Sequence, residues 1–411
     1  MTSATDARVP GQTAGHPALR RLVADPEAFA RDVWGTGALL TPSTELPSAF
    51  ADLFDEAAVD ELVSQRGLRT PFIRVAQDGT TLATRDFTSA GGVGAGIADQ
   101  VDDSKLTALF ADGATLVLQA LHRTWPPLIE FSQQLAADLG HAVQVNAYVT
   151  PPQSRGFDDH YDVHDVFVLQ VSGEKRWRIH EPVHEVPLRD QPWTDRREAV
   201  AEAADSPPII DEVLTPGDCL YLPRGYLHAA TALGGVSTHL TFGVHTWTRH
   251  AIARTMLDRA LLDLAGDIDV RTSLPLGVRV ADPAEVAPDV ELVRARLLQA
   301  IGNLSAEDVA TVLAAKTAAS GRAEPVGPLA QLQAARSLTG DTAVILRRHL
   351  EPRLETHDDG LRLTTRAGVV ELDHTDAPLV EMLLAGDPVD AEVLGLDLAR
   401  RLLRAGVVVT A

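Results

Sequence analysis

Three residues of this chain have the types and spacing to hold a metal. His160 and Asp162 stand two apart in the stretch GFDDHYDVHDVFVLQVSGEKRWR, from Gly156 to Arg178. Successive side chains of an extended segment point to opposite faces, so residues i and i+2 share a face. The imidazole and the carboxylate can therefore aim at one point. A second imidazole, His228, arrives late, in LTPGDCLYLPRGYLHAA. Two imidazoles and one carboxylate form the facial set of non-haem Fe(II) oxygenases, which leaves one side of the metal open. His160, Asp162 and His228 are thus the expected metal ligands and catalytic centre. His164, His180, His184, His239 and His245 lie nearby in sequence and dilute the signal. His164 could share the face of Asp162, and Asp158 and Asp159 are rival carboxylates.

These residues need a frame. From Val143 onward, short β-rich runs alternate with Pro/Gly turns, over 143–149, 165–171, 176–180, 212–214, 219–222 and 238–245. That spacing predicts an antiparallel barrel or jelly roll, with the metal in its mouth. Upstream, apolar periodicity predicts helices over 48–53, 57–66, 105–110 and 128–139, a helical start over 19–34, and a strand over 72–75 turning at Asp78-Gly79. Downstream, helices are expected over 249–265, 290–301 and 305–318. Ser305 N-caps the last, with Glu307 and Asp308 in its first turn. The tail reads as strands over 360–363, 369–372 and 407–410 with helices over 377–384 and 391–404, a winged-helix-like pattern. The expected fold class is a mainly β core with α additions. Its domains are a disordered tail (1–18), a catalytic barrel (19–248), a helical domain (249–326) and a winged-helix-like domain (327–411).

Composition narrows the function classes. The chain has 411 residues, 45% apolar and 23% charged, with a formal net charge of −21. Such a charge argues against coating nucleic acid or an anionic membrane, and suits a basic partner. The single cysteine, Cys219, permits no internal disulfide and excludes thiolate zinc clusters. It reads as a small core residue. No apolar run is long enough to span a membrane, and the first residues lack a signal-peptide core. A cytoplasmic protein is expected. The helices over 249–318 carry apolar positions such as Leu261, Leu262, Leu292, Leu297, Leu298 and Ile301, more than a linker needs.

The run from Asn146 through HYD to GEKRWRIH, then LPRGYLHAA, resembles the JmjC-type cupin oxygenases of the ribosomal oxygenase group. The motifs cover roughly residues 20 to 250. The resemblance implies a double-stranded β-helix, followed by a helical dimerisation domain and a winged helix. It implies Fe(II), O2 and 2-oxoglutarate as metal, oxidant and cosubstrate, and hydroxylation of a ribosomal-protein Arg or His side chain. It favours His160 over His164, because the His precedes the Asp in the family pattern. It places Lys175 against the far carboxylate of 2-oxoglutarate, where a buried dicarboxylate needs a cation. Asn146 and Tyr148 share one strand face and are assigned to the pocket wall. It also turns the apolar helices into a homodimer interface. Two other functions keep the barrel: a hydroxylase of a peptide or small molecule in secondary metabolism, and a winged-helix regulator with a vestigial barrel. Arg400, Arg401 and Arg404 would serve the latter, but direct nucleic-acid binding is not expected of so acidic a chain.

Overall fold

The computed structural model describes residues 16–77, 79–154 and 157–411. The expected disordered tail lies mostly outside them, as do Asp78 of the expected turn and Gly156 of the ligand approach. The chain divides into two compact units. The first comprises residues up to 246 together with 324–349 and 375–411; the second comprises 247–323 and 350–374. Residues 327–411 are therefore shared between the units, so the boundaries do not follow those expected from sequence.

The first unit is built on a nine-stranded antiparallel sheet. Its main strands are β1 (Leu39–Thr41), β2 (Ile73–Gln77), β3 (Thr115–Leu118), β4 (Ala142–Thr150), β5 (Asp165–His180), β6 (Ile210–Leu214), β7 (Cys219–Leu222) and β8 (Leu227–His245). The order is β1-β7-β5-β8-β4-β3-β2, then the short strand Thr80–Thr81, with β6 pairing β5 off this path. Two strands carry the curvature. The first half of β5 pairs with β7 and its second half with β6, while β8 pairs with β5 along both halves, with register shifts between Leu233 and His239. Gly173 sits at this bend with a positive φ of 62°.

Alternation explains how the barrel is filled. On β4, Val145, Ala147 and Val149 point out to the main apolar core, with Leu240, Phe242 and Val244 of β8. That core continues under helices α1 (Glu56–Gln65), α2 (Asp103–Ala111) and α3 (Pro126–Leu139), where Phe131 of α3 meets Phe242 edge-on at 5.4 Å. The alternate residues, such as Tyr148, Thr150, His239 and Thr241, face inward. The interior thus combines these polar side chains with a second apolar cluster of Val166, Val168, Trp177, Ile179, Leu220 and Leu222, so it is not filled for stability alone. α3 starts on Pro126 and ends on Gly140 in the left-handed conformation, each where a helix favours it.

Several expectations change. Residues 48–53 form turns, not a helix; they are too few to propagate one, and Phe50 and Leu53 serve as buried anchors. The start over 19–34 is helical as expected, but in short pieces, a 3-10 turn at Leu19–Arg21 and a helix over Pro26–Ala28 that widens into a π-helical turn at Phe29–Val33. The runs at 165–171 and 176–180 are one strand, and β8 begins at Leu227, earlier than its apolar pattern suggested. Gly395, at φ 79°, splits the expected helix over 391–404 into Ala391–Leu394 and Leu396–Arg404. Helix Pro328–Ser337 was not foreseen. This unit also contains a small sheet of Val389–Asp390, Ala343–Leu346 and Val408–Thr410.

The second unit holds helices α4 (Arg249–Leu264), α5 (Pro283–Asn303) and α6 (Ala306–Ser320), and a three-stranded meander, Arg353–His357, Gly360–Thr365 and Gly368–Leu372. Ser305 caps α6 reciprocally with Asp308. Ala260, Leu264 and Ala300 form its buried helical core. Among the described residues, no helix is long and apolar enough to cross a membrane.

Candidate metal centre and cosubstrate cavity

His160 and His228 face each other across a single antiparallel bridge. The His228 N–H donates to the His160 carbonyl at 2.8 Å, and the His160 N–H returns to the His228 carbonyl at 3.3 Å. Asp162 follows two residues on, and its carboxylate lies 3.9 Å from His228 Nε2. The three side chains place one ligand atom each within 4.8 Å of one another, and no other group of three does so among the described residues.

Hydrogen bonds fix which nitrogens face the centre. His160 Nδ1 lies 2.7 Å from the Asp158 carbonyl, and His228 Nδ1 lies 3.1 Å from the Tyr226 carbonyl. A carbonyl only accepts, so each Nδ1 carries a proton, and in the neutral ring it is Nε2 that keeps the lone pair. This is the outer-shell arrangement that orients metal-bound imidazoles. Burial pushes the His228 imidazole down to about 4, helped by His160 and opposed by Asp162. Burial would raise the Asp162 carboxyl, but His164, His228, His160 and Arg74 outweigh it and hold the group below its usual range. One carboxylate and two imidazoles converging on a point are a donor set that fits a divalent transition metal.

The rivals are engaged elsewhere. His164 Nε2 is 3.3 Å from the Gln144 carboxamide and its ring packs on His245. Asp159 faces Arg178 at 3.7 Å. The Asp158 carboxylate lies beside Gly79 and is not among the grouped ligand atoms. Cys219 is buried, and burial pushes its thiol up, away from nucleophilic use.

The triad opens into a cavity whose wall includes Thr115, Tyr148, Lys175, Trp177, His239 and Thr241. Strand alternation sends Lys175 and Trp177 inward and Arg176 and Arg178 outward, where Arg176 pairs with Asp211 at 2.6 Å. Lys175 is 3% exposed, and its Nζ donates to Thr150 Oγ1 at 3.0 Å. It has no carboxylate partner among the described residues. Burial pushes its amine down to about 7. Beside it, Trp177 Nε1 and His239 Nδ1 are buried with no hydrogen-bond partner among the described residues. His239 stacks flat on Tyr148 at 4.9 Å, and burial, the Lys175 charge and His228 hold its imidazole well below the usual range. Burial raises the Tyr148 phenol to about 12. A cavity floor with one cation and two unpaired ring nitrogens suits an anion with several acceptor atoms.

Of the two wall residues expected on β4, Tyr148 lines the cavity. Asn146 shares its face, but its Oδ1 accepts the Ala120 N–H at 3.1 Å and it does not line the cavity. Sequence reading missed Thr115, Thr150, Trp177 and Thr241. The i+2 relation of Trp177 to Lys175 could have found one of them.

Comparison with known proteins fits this geometry. Residues 125–252 match the JmjC domain. A histidyl-hydroxylase of Drosophila grimshawi, named bifunctional lysine-specific demethylase and histidyl-hydroxylase NO66, is 40% identical over 140 residues, 33% of this chain and 19% of that protein. Ribosomal oxygenase 1 of Gallus gallus is 30% identical over 258 residues, 62% of this chain and 41% of that protein. The chain thus spans less than half the length of these curated relatives. The crystal structure of the Escherichia coli ribosomal oxygenase YcfD aligns over 95% of this chain and 99% of its own, with TM-score 0.55 and 18% identity. A further structure of YcfD is a complex with cobalt and 2-oxoglutarate, at TM-score 0.54. At that identity the likeness shows the fold. The resemblance to JmjC-type ribosomal oxygenases and the β-rich JmjC fold therefore stand.

Proposed function

We propose that this chain is an Fe(II)- and 2-oxoglutarate-dependent oxygenase that hydroxylates a protein side chain, an Arg or a His of a basic ribosomal protein. The observation that carries this reading is one cavity joining an open three-ligand cluster to a buried lysine that lacks an anion. His160 and His228 would hold the metal through Nε2 and Asp162 through its carboxylate. Bound there, Fe(II) supplies O2 activation, with 2-oxoglutarate oxidised to succinate and CO2. Lys175, with Thr150, takes the distal carboxylate of the cosubstrate and so orients it toward the triad. Val166, Val168, Ala229 and Ala230 wall the cavity with apolar surface, which excludes water and strengthens the Lys175 contact. The names of the relatives and the cobalt and 2-oxoglutarate complex of YcfD support the same chemistry.

A homodimer and a cytoplasmic location belong to this proposal. In the second unit Leu261, Leu262 and Leu298 are 57%, 64% and 66% exposed. Leu274, Val290, Val293 and Leu297 line an apolar groove in the same unit. Surface of that kind is normally covered, and a two-fold interface would be self-complementary. Intact mass spectrometry of ribosomal proteins from cells with and without this chain tests the substrate class. One added oxygen atom on one protein, dependent on the chain, is expected. Unchanged masses beside succinate release on a small molecule would favour the secondary-metabolism hydroxylase.

A further inference from the structure

The segments DVFVLQ and LPRG each contain a charged residue that lines neither the triad nor the cavity. Asp165 is fully buried and the Arg224 side chain is 15% exposed, and the two meet at 3.3 Å. Asp165 Oδ1 also accepts the Arg224 backbone N–H at 3.1 Å, and Oδ2 accepts the Tyr221 hydroxyl at 2.8 Å. Arg224 Nη1 is steadied by Thr246 Oγ1 at 3.0 Å. We propose that this buried pair is a clamp that sets the geometry of the metal ligands, and that Arg224 is a positioning residue for the reaction. The proposal rests on the metal-site reading above.

The clamp acts on the segments that bear the ligands. Asp165 follows Asp162 by three residues, and Arg224 precedes His228 by four. A second bond runs parallel to the ion pair, from the Gly225 N–H to the Asp162 carbonyl at 3.0 Å. The mutual backbone bonds of His160 and His228 close the ladder on the far side. Segments 160–165 and 224–228 are thus tied at three successive places, two of them through the backbones of the ligand residues His160, His228 and Asp162. Gly225 is held at φ +95°, and a Cβ there would meet the His184 carbonyl at 2.6 Å, so the turn has little freedom to compensate. Without the guanidinium, Asp165 would be a buried carboxylate short of a partner, and the loop would shift to hydrate it. A shift of the Arg224-Gly225 backbone passes directly to the Asp162 carbonyl. Mutating partners that orient metal ligands commonly lowers metal affinity ten- to a hundredfold, roughly.

Co(II) titration of the metal-free full chain, followed by its visible absorption, tests this without reference to turnover. Arg224→Gln is expected to weaken Co(II) binding about ten- to a hundredfold and to alter the ligand-field bands, with Arg224→Lys restoring part of the affinity. Val344→Ala, in the separate small sheet, is the control for general destabilisation. It should lower the melting temperature and leave the Co(II) affinity unchanged. His228→Ala distinguishes the two claims. If it binds Co(II) as the unaltered chain does, the metal site is wrong. If it is crippled while folded Arg224→Gln binds normally, the clamp alone is overturned. Should Arg224→Gln fail to fold, Thr246→Val removes the bond that steadies Nη1 while keeping the charge and the pairing with Asp165. A severalfold loss of Co(II) affinity is then expected, and an unchanged value overturns the clamp.

Discussion

Lys175 shows how much one side chain can decide. Its amine sits at about 7 in the ligand-free chain because burial disfavours the charge. A charge-assisted hydrogen bond to a desolvated carboxylate is worth about 1.5–3 kcal/mol. Lys175→Ala should therefore raise the KM for 2-oxoglutarate about ten- to a hundredfold and lower kcat less; an unchanged KM would move the anchor elsewhere. The pH dependence has a definite sign. The folded pKa lies below the ordinary 10.5, so the unfolded chain holds more protons between about 7 and 10.5. Stability of the ligand-free chain should therefore rise with pH across that window, and Lys175→Met should flatten the slope in urea melts. Cosubstrate binding needs the protonated amine, so 2-oxoglutarate affinity should fall as pH rises above about 7. Calorimetric titrations at pH 6.5, 7.5 and 8.5 check this, and an affinity that rises with pH would contradict it.

At the residue scale the i, i+2 rule places His160 and Asp162 on one face, but it serves His164 equally. The preference for His160 and the placing of Lys175 as anchor rest on the family resemblance. Thr150 and His239 reach the cavity through the pairing of β4 with β8 and of β8 with β5, which no local pattern encodes. Asn146 shows the same limit from the other side. Its face was readable, but the Ala120 amide that captures its carboxamide comes from a distant segment.

At the scale of elements, the long strands β5 and β8 shape the barrel by bending rather than by ending. Sequence reading split β5 in two because SerGlyGlu at its centre resembles a turn. In the structure those residues are the bend. A Cβ on Gly173 would stand 2.1 Å from the Val236 carbonyl, whereas one on Gly234, at a similar φ, meets nothing within 4 Å. Gly234→Ala should cost about 1 kcal/mol, from backbone strain alone. Gly173→Ala should cost about 3 kcal/mol or more, because the strands must also separate. Equal midpoints for the two variants in urea melts would show that the bend is not under this constraint.

For the molecule as a whole, the barrel and the helical unit carry different properties. The barrel holds every residue assigned to chemistry, and the helical unit holds exposed leucines. Light scattering of the full chain at micromolar concentration should give twice the monomer mass, and Leu262→Glu with Leu298→Glu should return it to a monomer. A monomeric full chain would remove the dimer and leave the oxygenase standing. The fold class was legible from strand spacing, whereas the division into units was not, since residues 327–411 are divided between the two units according to contacts distant in sequence.

The central claim is that His160, Asp162 and His228 and the Lys175 cavity work as one site for 2-oxoglutarate oxidation. Succinate formation from 2-oxoglutarate, measured with Fe(II) and ribosomal protein extract for the unaltered chain and for His228→Ala, tests it most directly. The account predicts succinate release by the unaltered chain and its loss in a His228→Ala protein that remains folded. Full succinate release by folded His228→Ala would contradict it.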